Sequence, residues 1–100
     1  MIPEYLLNNM KHFNLTISGK VQRVGFRFSA MEAAYRCEIF GFVMNMGSNS
    51  VYLEVEGPSE NLEQFLVWCR KGPLGAKVEN VEVHEGPLKN YSKFDIVNRT

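Results

Sequence analysis

Residues 13–37 read FNLTISGKVQRVGFRFSAMEAAYRC, and this stretch joins two hydrophobic periodicities through one short loop. From Phe13 to Ser18 apolar and polar residues alternate, which is typical of a strand with one buried face. After Gly25 apolar residues recur at spacings of three and four, which predicts an amphipathic helix of about three turns. The stretch therefore predicts a strand, a loop and a helix in succession.

The rest of the chain continues the alternation of strands and helices. Residues 41–45, GFVMN, are a short strand candidate, and residues 51–56 alternate again after the hairpin loop MGSNS. Ser59 follows a Gly-Pro pair and is the predicted N-cap of a second helix. A fourth strand is expected around residues 81–83 and a short last strand around residues 94–96.

This order of elements predicts the fold class. The succession β-α-β-β-α-β, with one additional strand, is typical of an α+β domain in the split β-α-β, or ferredoxin-like, arrangement. We expect an antiparallel sheet of four or five strands with two helices on one face. The length of 100 residues fits a single domain.

The composition excludes several classes of protein. With 45% hydrophobic and 22% charged residues, the chain resembles an ordinary globular protein. Eleven Lys and Arg residues balance eleven Asp and Glu residues, so no general attraction to nucleic acid or to an anionic membrane is expected. No apolar run approaches the ~20 residues of a membrane span, and the N-terminus lacks signal-peptide features.

The cysteines and histidines form no recognisable site. Cys37 and Cys69 lie in helix-like segments without CxxC spacing or a His at metal-ligand spacing, which favours reduced thiols in the cytoplasm. A single disulfide between them is the alternative. His12 and His84 have no partner at metal-ligand or catalytic-triad spacing.

The loop between the first strand and the first helix has the features of an anion site. Backbone N–H groups at a helix N-terminus lack intrahelical partners and carry the positive end of the dipole. Gly19 and Gly25 would allow the backbone to curve around an anion, and the Arg27 guanidinium suits two phosphate oxygens. The alternative for this loop is a plain β-α connection with solvated arginines. A second polar residue, Asn45, ends the strand candidate GFVMN, and the alternative for it is an ordinary turn residue.

Two motifs resemble the signatures of the acylphosphatase family. Residues 17–27, ISGKVQRVGFR, are similar to the first signature, G-x-V-Q-G-V-x-F-R, and residues 41–45 with Val51 and Gly57 are similar to the second. The resemblance extends to about residue 97. We therefore expect a single acylphosphatase-like domain over residues 12–100, preceded by an N-terminal extension over residues 1–11.

The resemblance also implies a function and a role for each site residue. Arg27 and Asn45 would be catalytic, the arginine by binding phosphate and the asparagine by orienting the attacking water. The implied substrate-binding segment consists of Lys20, Val21, Gln22, Arg23, Val24 and Gly25. The implied enzyme hydrolyses small acyl phosphates to a carboxylate and inorganic phosphate, as a cytoplasmic monomer.

The implied chemistry explains why no metal or cofactor is expected. A carboxylate is a good leaving group, and phosphoryl transfer is catalysed chiefly by positioning the nucleophile and neutralising the phosphate oxygens. An arginine, a set of backbone amides and one side-chain amide suffice for this reaction. The expected partner is therefore the small-molecule substrate alone, with no nucleic acid and no membrane.

The chain departs from the family pattern in its loops. Arg23 and Asn49 replace glycines, and Ser48 stands where an aspartate is common. If the first glycine position has a positive φ, Arg23 costs about 1–2 kcal/mol. If it does not, the side chain adds a second cation beside the phosphate or lies across the entrance.

Two other functions are compatible with the same fold. The first is a non-catalytic anion-binding or regulatory module whose loop is altered by Arg23. The second, an RNA-binding domain, is less favoured because the net charge is zero and no row of exposed aromatic residues is predicted.

Overall fold

The computed structural model describes Glu4 and residues 9–98 of the chain. From residue 9 onward the elements follow in the predicted order: β1 (Met10–Lys20), α1 (Phe26–Cys37), β2 (Phe40–Met46), β3 (Ser50–Pro58), α2 (Ser59–Lys71), β4 (Lys77–Gly86) and β5 (Phe94–Ile96). In this described part of the chain, no helix has both the length and the apolar character needed to cross a bilayer.

The strands form one five-stranded sheet in the order β4-β1-β3-β2-β5. The first four strands are joined by antiparallel pairs, as predicted. Strand β5 departs from the expected antiparallel sheet, because it pairs parallel with β2. After β4 the chain crosses from one edge of the sheet to the other and reverses its direction. Strand β5 therefore runs opposite to β4 and in the same direction as β2.

Both helices pack against one face of the sheet and enclose a single hydrophobic core. The sheet contributes the alternate apolar residues of its two central strands, which are Phe13, Leu15, Ile17, Val51, Leu53 and Val55. Helix α1 contributes mainly small residues, Ala30, Ala33 and Ala34, while α2 contributes Leu62, Phe65, Leu66 and Cys69. The predicted layer of two helices on one face of the sheet is confirmed.

The start of helix α2 differs from the prediction. Pro58 occupies the N-cap position and no side chain caps the helix, so the prediction that Ser59 is the N-cap was wrong. The backbone N–H of Ser59 instead donates to the carbonyl of Asn9 at 3.0 Å. Strand β1 extends back to Met10, which pairs with Pro58, so it begins before the domain boundary expected at residue 12.

A buried carboxylate fastens the connection between β4 and β5 across the helix-free face of the sheet. Glu56 on β3 accepts hydrogen bonds from the backbone N–H groups of Lys89, of Asn90 at 3.0 Å and of Tyr91 at 3.3 Å. The Nδ1 atom of His12 lies 2.8 Å from Glu56 Oε2. These contacts leave Glu56 only 2% exposed, although it is a charged residue on the face opposite the helices.

A second carboxylate on the same face forms side-chain contacts with the same connection. Glu54 accepts hydrogen bonds from the hydroxyls of Tyr52 at 2.9 Å and Tyr91 at 3.0 Å, and from Lys89 Nζ at 2.9 Å. Burial acts to raise the pKa of Glu54, but these hydrogen bonds and the charge of Lys89 outweigh it, and the pKa lies below its ordinary value. The ionised form of Glu54 therefore stabilises the folded state.

The conformation of the loop between β1 and α1 shows whether the backbone of Arg23 has a positive φ. Its backbone enters the left-handed region at Arg23, with φ 62°, and again at Gly25, with φ 74°. Asn49, at the other replaced glycine position, is not among the described residues with positive φ. Arg23 therefore keeps a backbone conformation suited to glycine, while its side chain makes that conformation unfavourable.

We predict that the free energy of unfolding decreases as the pH falls through the acid range, because Glu54 becomes protonated. A carboxyl group with a lowered pKa contributes stability above its unfolded pKa and loses it as the pH falls through the folded value. Urea unfolding followed from pH 7 to pH 3 should show a steep loss below the ordinary value of 4.5. Glu54→Gln should reduce this dependence, with Glu82→Gln on exposed β4 as the matched control; equal slopes in the two variants would contradict the prediction.

We also predict that Arg23→Gly stabilises the fold. Glycine adopts the left-handed region without the steric cost of a Cβ atom, a gain of about 1–2 kcal/mol that its greater unfolded-state entropy offsets by about 0.5–1 kcal/mol. Arg23→Ala removes the same charge but retains the Cβ, so it should be less stable than Arg23→Gly by about 1 kcal/mol. Urea unfolding of both variants measures the difference, and an alanine variant at least as stable as the glycine variant would contradict the prediction, because the strain would then not exceed the entropy cost of glycine.

Candidate active site

A cleft of about 220 Å³ lies where the β1–α1 loop, strand β2 and the C-terminal segment meet. It is lined by residues from these segments and from the first turn of α1: Val21, Arg23, Gly25, Phe26, Arg27, Phe28, Asn45, Ile96 and Asn98. The two residues predicted to be catalytic, Arg27 and Asn45, therefore lie in the same cleft.

The loop presents unpaired backbone donors at the cleft. No backbone N–H from Gln22 to Phe28 donates a hydrogen bond to any residue that the structure describes. Helix α1 begins at Phe26, and its first backbone hydrogen bond runs from the N–H of Ser29 to the carbonyl of Gly25, at 3.0 Å. The first turn carries no acidic residue, so the positive end of the helix dipole is not neutralised there.

The loop is held in place by the β2–β3 hairpin. Gln22 Nε2 donates to the carbonyl oxygens of Gly47 at 3.0 Å and Ser50 at 2.9 Å. Just before the loop, the N–H of Gly19 donates to the carbonyl of Asn49, also at 3.0 Å. The side chain of Gln22 is therefore committed to the hairpin, where it fixes the position of the neighbouring backbone amides.

The guanidinium of Arg27 is positioned by a residue that the sequence did not indicate. Arg27 Nη1 donates to Asn98 Oδ1 at 2.9 Å, across 71 positions of the chain. The parallel pairing of β5 with β2 brings Asn98 to the cleft, and the N–H of Val97 continues this pairing by donating to the carbonyl of Val43 at 2.9 Å. Only one N–H of the guanidinium is used in this bond, so the others remain available to an anion.

Asn45 carries a buried acceptor without a hydrogen-bond partner. It lies two positions after Val43 on β2, so its side chain points to the helix-bearing face of the sheet. Its Oδ1 atom is buried, and no described residue donates a hydrogen bond to it. Leaving a buried carbonyl oxygen unpaired costs roughly 1–3 kcal/mol, and such an atom in a cleft is typical of a side chain with a role in binding or catalysis.

The remaining predicted site residues divide into two groups. Lys20 and Gln22 line an adjacent depression of about 560 Å³, which also borders Val21 and Arg23. Val24 is half-buried and packs against the hydrophobic core instead of lining the cleft. The structure thus brings Val21, Arg23 and Gly25 to the cleft with the two catalytic candidates, and places Lys20 and Gln22 next to it.

Other groups with potential chemistry lie elsewhere. Among Glu4 and residues 9–98, no three or more His, Cys, Asp or Glu side chains are grouped so that they could hold a metal ion. Cys37 and Cys69 are free thiols, and burial raises the pKa of both. This agrees with the prediction of reduced cysteines.

Comparisons with known proteins identify the family. An acylphosphatase of Lactiplantibacillus plantarum is 38% identical over 90 residues, which cover 89% of this chain and 100% of that protein. An acylphosphatase of Thermotoga maritima is 39% identical and covers 87% of this chain and 97% of its own length. The solved structure of an acylphosphatase from Coxiella burnetii superposes with a TM-score of 0.89 at 30% identity, over 95% of this chain and 100% of that chain. The family model for acylphosphatase matches residues 13–96, and the chain therefore belongs to the acylphosphatase family.

Proposed function

We propose that this protein hydrolyses the carboxyl-phosphate bond of small acyl phosphates to a carboxylate and inorganic phosphate. The observation that carries the proposal is the meeting, in one cleft, of unpaired loop amides, the Arg27 guanidinium and the buried unpaired oxygen of Asn45. The first two bind an oxyanion, and the side-chain amide of Asn45 hydrogen-bonds a neutral molecule such as water. The activity of the acylphosphatases to which the chain is similar supports the same reaction.

The phosphate group binds between the loop and helix α1. Amide N–H groups from Gln22 to Phe28 supply donors, and the helix dipole adds a favourable potential for an anion. The Arg27 guanidinium, held by Asn98 at one nitrogen, donates its remaining N–H groups to two phosphate oxygens. These donors neutralise the charge that the equatorial oxygens carry in the transition state.

Asn45 orients the nucleophile. Its side-chain amide, which lines the cleft, hydrogen-bonds a water molecule and directs a lone pair of that water towards phosphorus, in line with the bond to the acyl oxygen. The new P–O bond forms as the bond to the acyl oxygen breaks, and the carboxylate leaves with the electron pair of that bond. The proton of the attacking water passes to a phosphate oxygen of the substrate, so no separate general base takes part.

The cleft and the overall charge support a narrow range of partners. A volume of about 220 Å³ suits a small substrate better than a polymer. The formal net charge of zero gives no attraction to nucleic acid or to an anionic membrane. We propose that the protein acts in the cytoplasm as a monomer, with residues 12–100 as its catalytic domain and residues 1–11 as an extension whose last two residues form the start of β1.

Removing either catalytic candidate tests this proposal. Arg27→Lys keeps the charge but loses the planar fork, and Asn45→Ala loses the side-chain amide that orients water, so each should lower kcat/KM by roughly 10²–10³. Purified protein is assayed with benzoyl phosphate in the presence of a metal chelator. Arg36→Lys, at the exposed end of α1, and Asn80→Ala, on exposed β4, are the matched controls and should retain activity.

Two results separate the proposal from its alternatives. Activity that survives both Arg27→Lys and Asn45→Ala in folded protein would contradict the assigned roles. If the unmodified protein binds inorganic phosphate through Arg27 but releases no product from benzoyl phosphate, it is a non-catalytic anion-binding module. Circular dichroism of each variant confirms that it has folded.

We predict a smaller effect for Asn98, which acts through Arg27. Asn98→Ala removes one neutral acceptor, worth roughly 0.5–1.5 kcal/mol, so kcat/KM should fall roughly 2- to 10-fold. The same substitution in an Arg27→Lys background should have little further effect, because the guanidinium that Asn98 holds is absent. Steady-state kinetics of the single and double variants measures this coupling, and additive losses would show that Asn98 does not act through Arg27.

A further inference from the structure

Arg23 stands on the boundary between two depressions of the surface. Arg23 lines the cleft that contains Arg27 and Asn45, and it also lines the adjacent depression that contains Lys20. It is exposed to solvent at the turn of the loop. A group bound at Arg27 and a group bound at Lys20 would therefore lie on the two sides of Arg23.

The side chains of Arg23 and Lys20 are unpaired among the described residues. Within the described part of the chain, neither Arg23 nor Lys20 forms an ion pair or a side-chain hydrogen bond. Among the lining residues that the structure describes, neither depression includes an Asp or a Glu. On β4 the residue paired with Lys20 is Lys77, which adds a further positive charge near this end of the sheet. Glu79 on β4 lies beside Gly19, so three cations, Arg23, Lys20 and Lys77, outnumber one carboxylate in this region although the formal net charge of the chain is zero.

The backbone of Arg23 shows that a side chain at this position is costly. With φ 62°, the residue lies in a region where glycine is unstrained and arginine is not. Glycine adopts such a conformation without this cost, as Gly25 does two residues later with a φ of 74°. A cation that is strained, unpaired and directed to solvent beside the cleft favours a role in binding.

From these observations we infer that Arg23 and Lys20 form a second anion site, which favours acyl phosphates whose acyl group carries a further oxyanion, either a carboxylate or a phosphate. This inference rests on the proposed function, since the phosphate to be hydrolysed occupies the neighbouring cleft. The second anion binds in the depression bordered by Gly19, Gln22 and Ser48. Its contacts with the two side chains increase kcat/KM for the doubly anionic substrate relative to a neutral analogue of equal size.

The test compares substrates that differ only in charge at the far end of the acyl group. para-Carboxybenzoyl phosphate and para-phosphonobenzoyl phosphate carry the second anion, while para-methylbenzoyl phosphate is the neutral analogue. The ratio of kcat/KM for an anionic substrate to that for the neutral one should fall roughly 3- to 10-fold in Arg23→Asn, and less in Lys20→Gln. Asparagine tolerates a positive φ, so this variant removes the charge while retaining the loop conformation.

A charge effect is distinguished from a structural one by salt and by a remote control. In the unmodified protein the ratio should decrease as ionic strength rises, whereas in Arg23→Asn it should change little. Arg36→Gln makes the same charge change at the far end of α1 and should leave the ratio unaltered. Comparison of the two anionic substrates shows whether a carboxylate or a phosphate is preferred.

The possible results separate this inference from the function on which it rests. If the protein hydrolyses all the substrates but Arg23→Asn does not change the ratio, the second site is refuted and the proposed function stands. The same conclusion follows if Arg36→Gln lowers the ratio as much as Arg23→Asn. If none of the substrates is hydrolysed by the unmodified protein, the proposed function itself is contradicted.

Discussion

The site depends on one constraint, which is that the loop after β1 must reverse into helix α1 without using its own amide groups. Two turns of the backbone into the left-handed region, at Arg23 and Gly25, make this reversal. Gln22 secures the loop to the carbonyls of the neighbouring hairpin, so the anchor uses a side chain and leaves the amides unpaired. A turn built on Asn, Asp or Ser side chains would have offered acceptors to these same amides and competed with a bound anion.

The sequence predicted the structure best where a hydrophobic periodicity began or ended at the boundary of a secondary-structure element. The alternation from Phe13 to Ser18 and the apolar spacing after Gly25 predicted β1 and α1, and the position of Arg27 in the first helical turn followed from them. The contribution of Asn98 could not be predicted in this way, because it depends on the parallel pairing of β5 and β2 between residues distant in the chain. The φ of Arg23 was also open, since an arginine in sequence gives no indication of a left-handed backbone.

The helix-free face of the sheet is more buried than its sequence pattern predicts. The alternation of residues 51–56 predicts one buried face, yet Glu54 and Glu56 on the other face are also buried, because the β4–β5 connection lies over them. Aromatic rings are present on this face, where the ring centroid of Phe42 lies 6.1 Å from the ring centroids of both Tyr52 and Tyr91. They adjoin buried carboxylates and contact one another, an arrangement that opposes the binding of RNA.

The position of β4 at the outer edge of the sheet has a consequence for solubility. Within the part of the chain that the structure describes, no strand pairs with the outer side of this ten-residue strand, and such a row of backbone donors and acceptors can pair with an edge strand of another molecule and begin aggregation. Here Lys77, Glu79, Glu82 and Glu85 are exposed along that strand and give it a net negative charge, so a second copy of the strand would be repelled as it approached. The side chains that make β4 a weak contributor to the core thus protect the protein against edge-to-edge association.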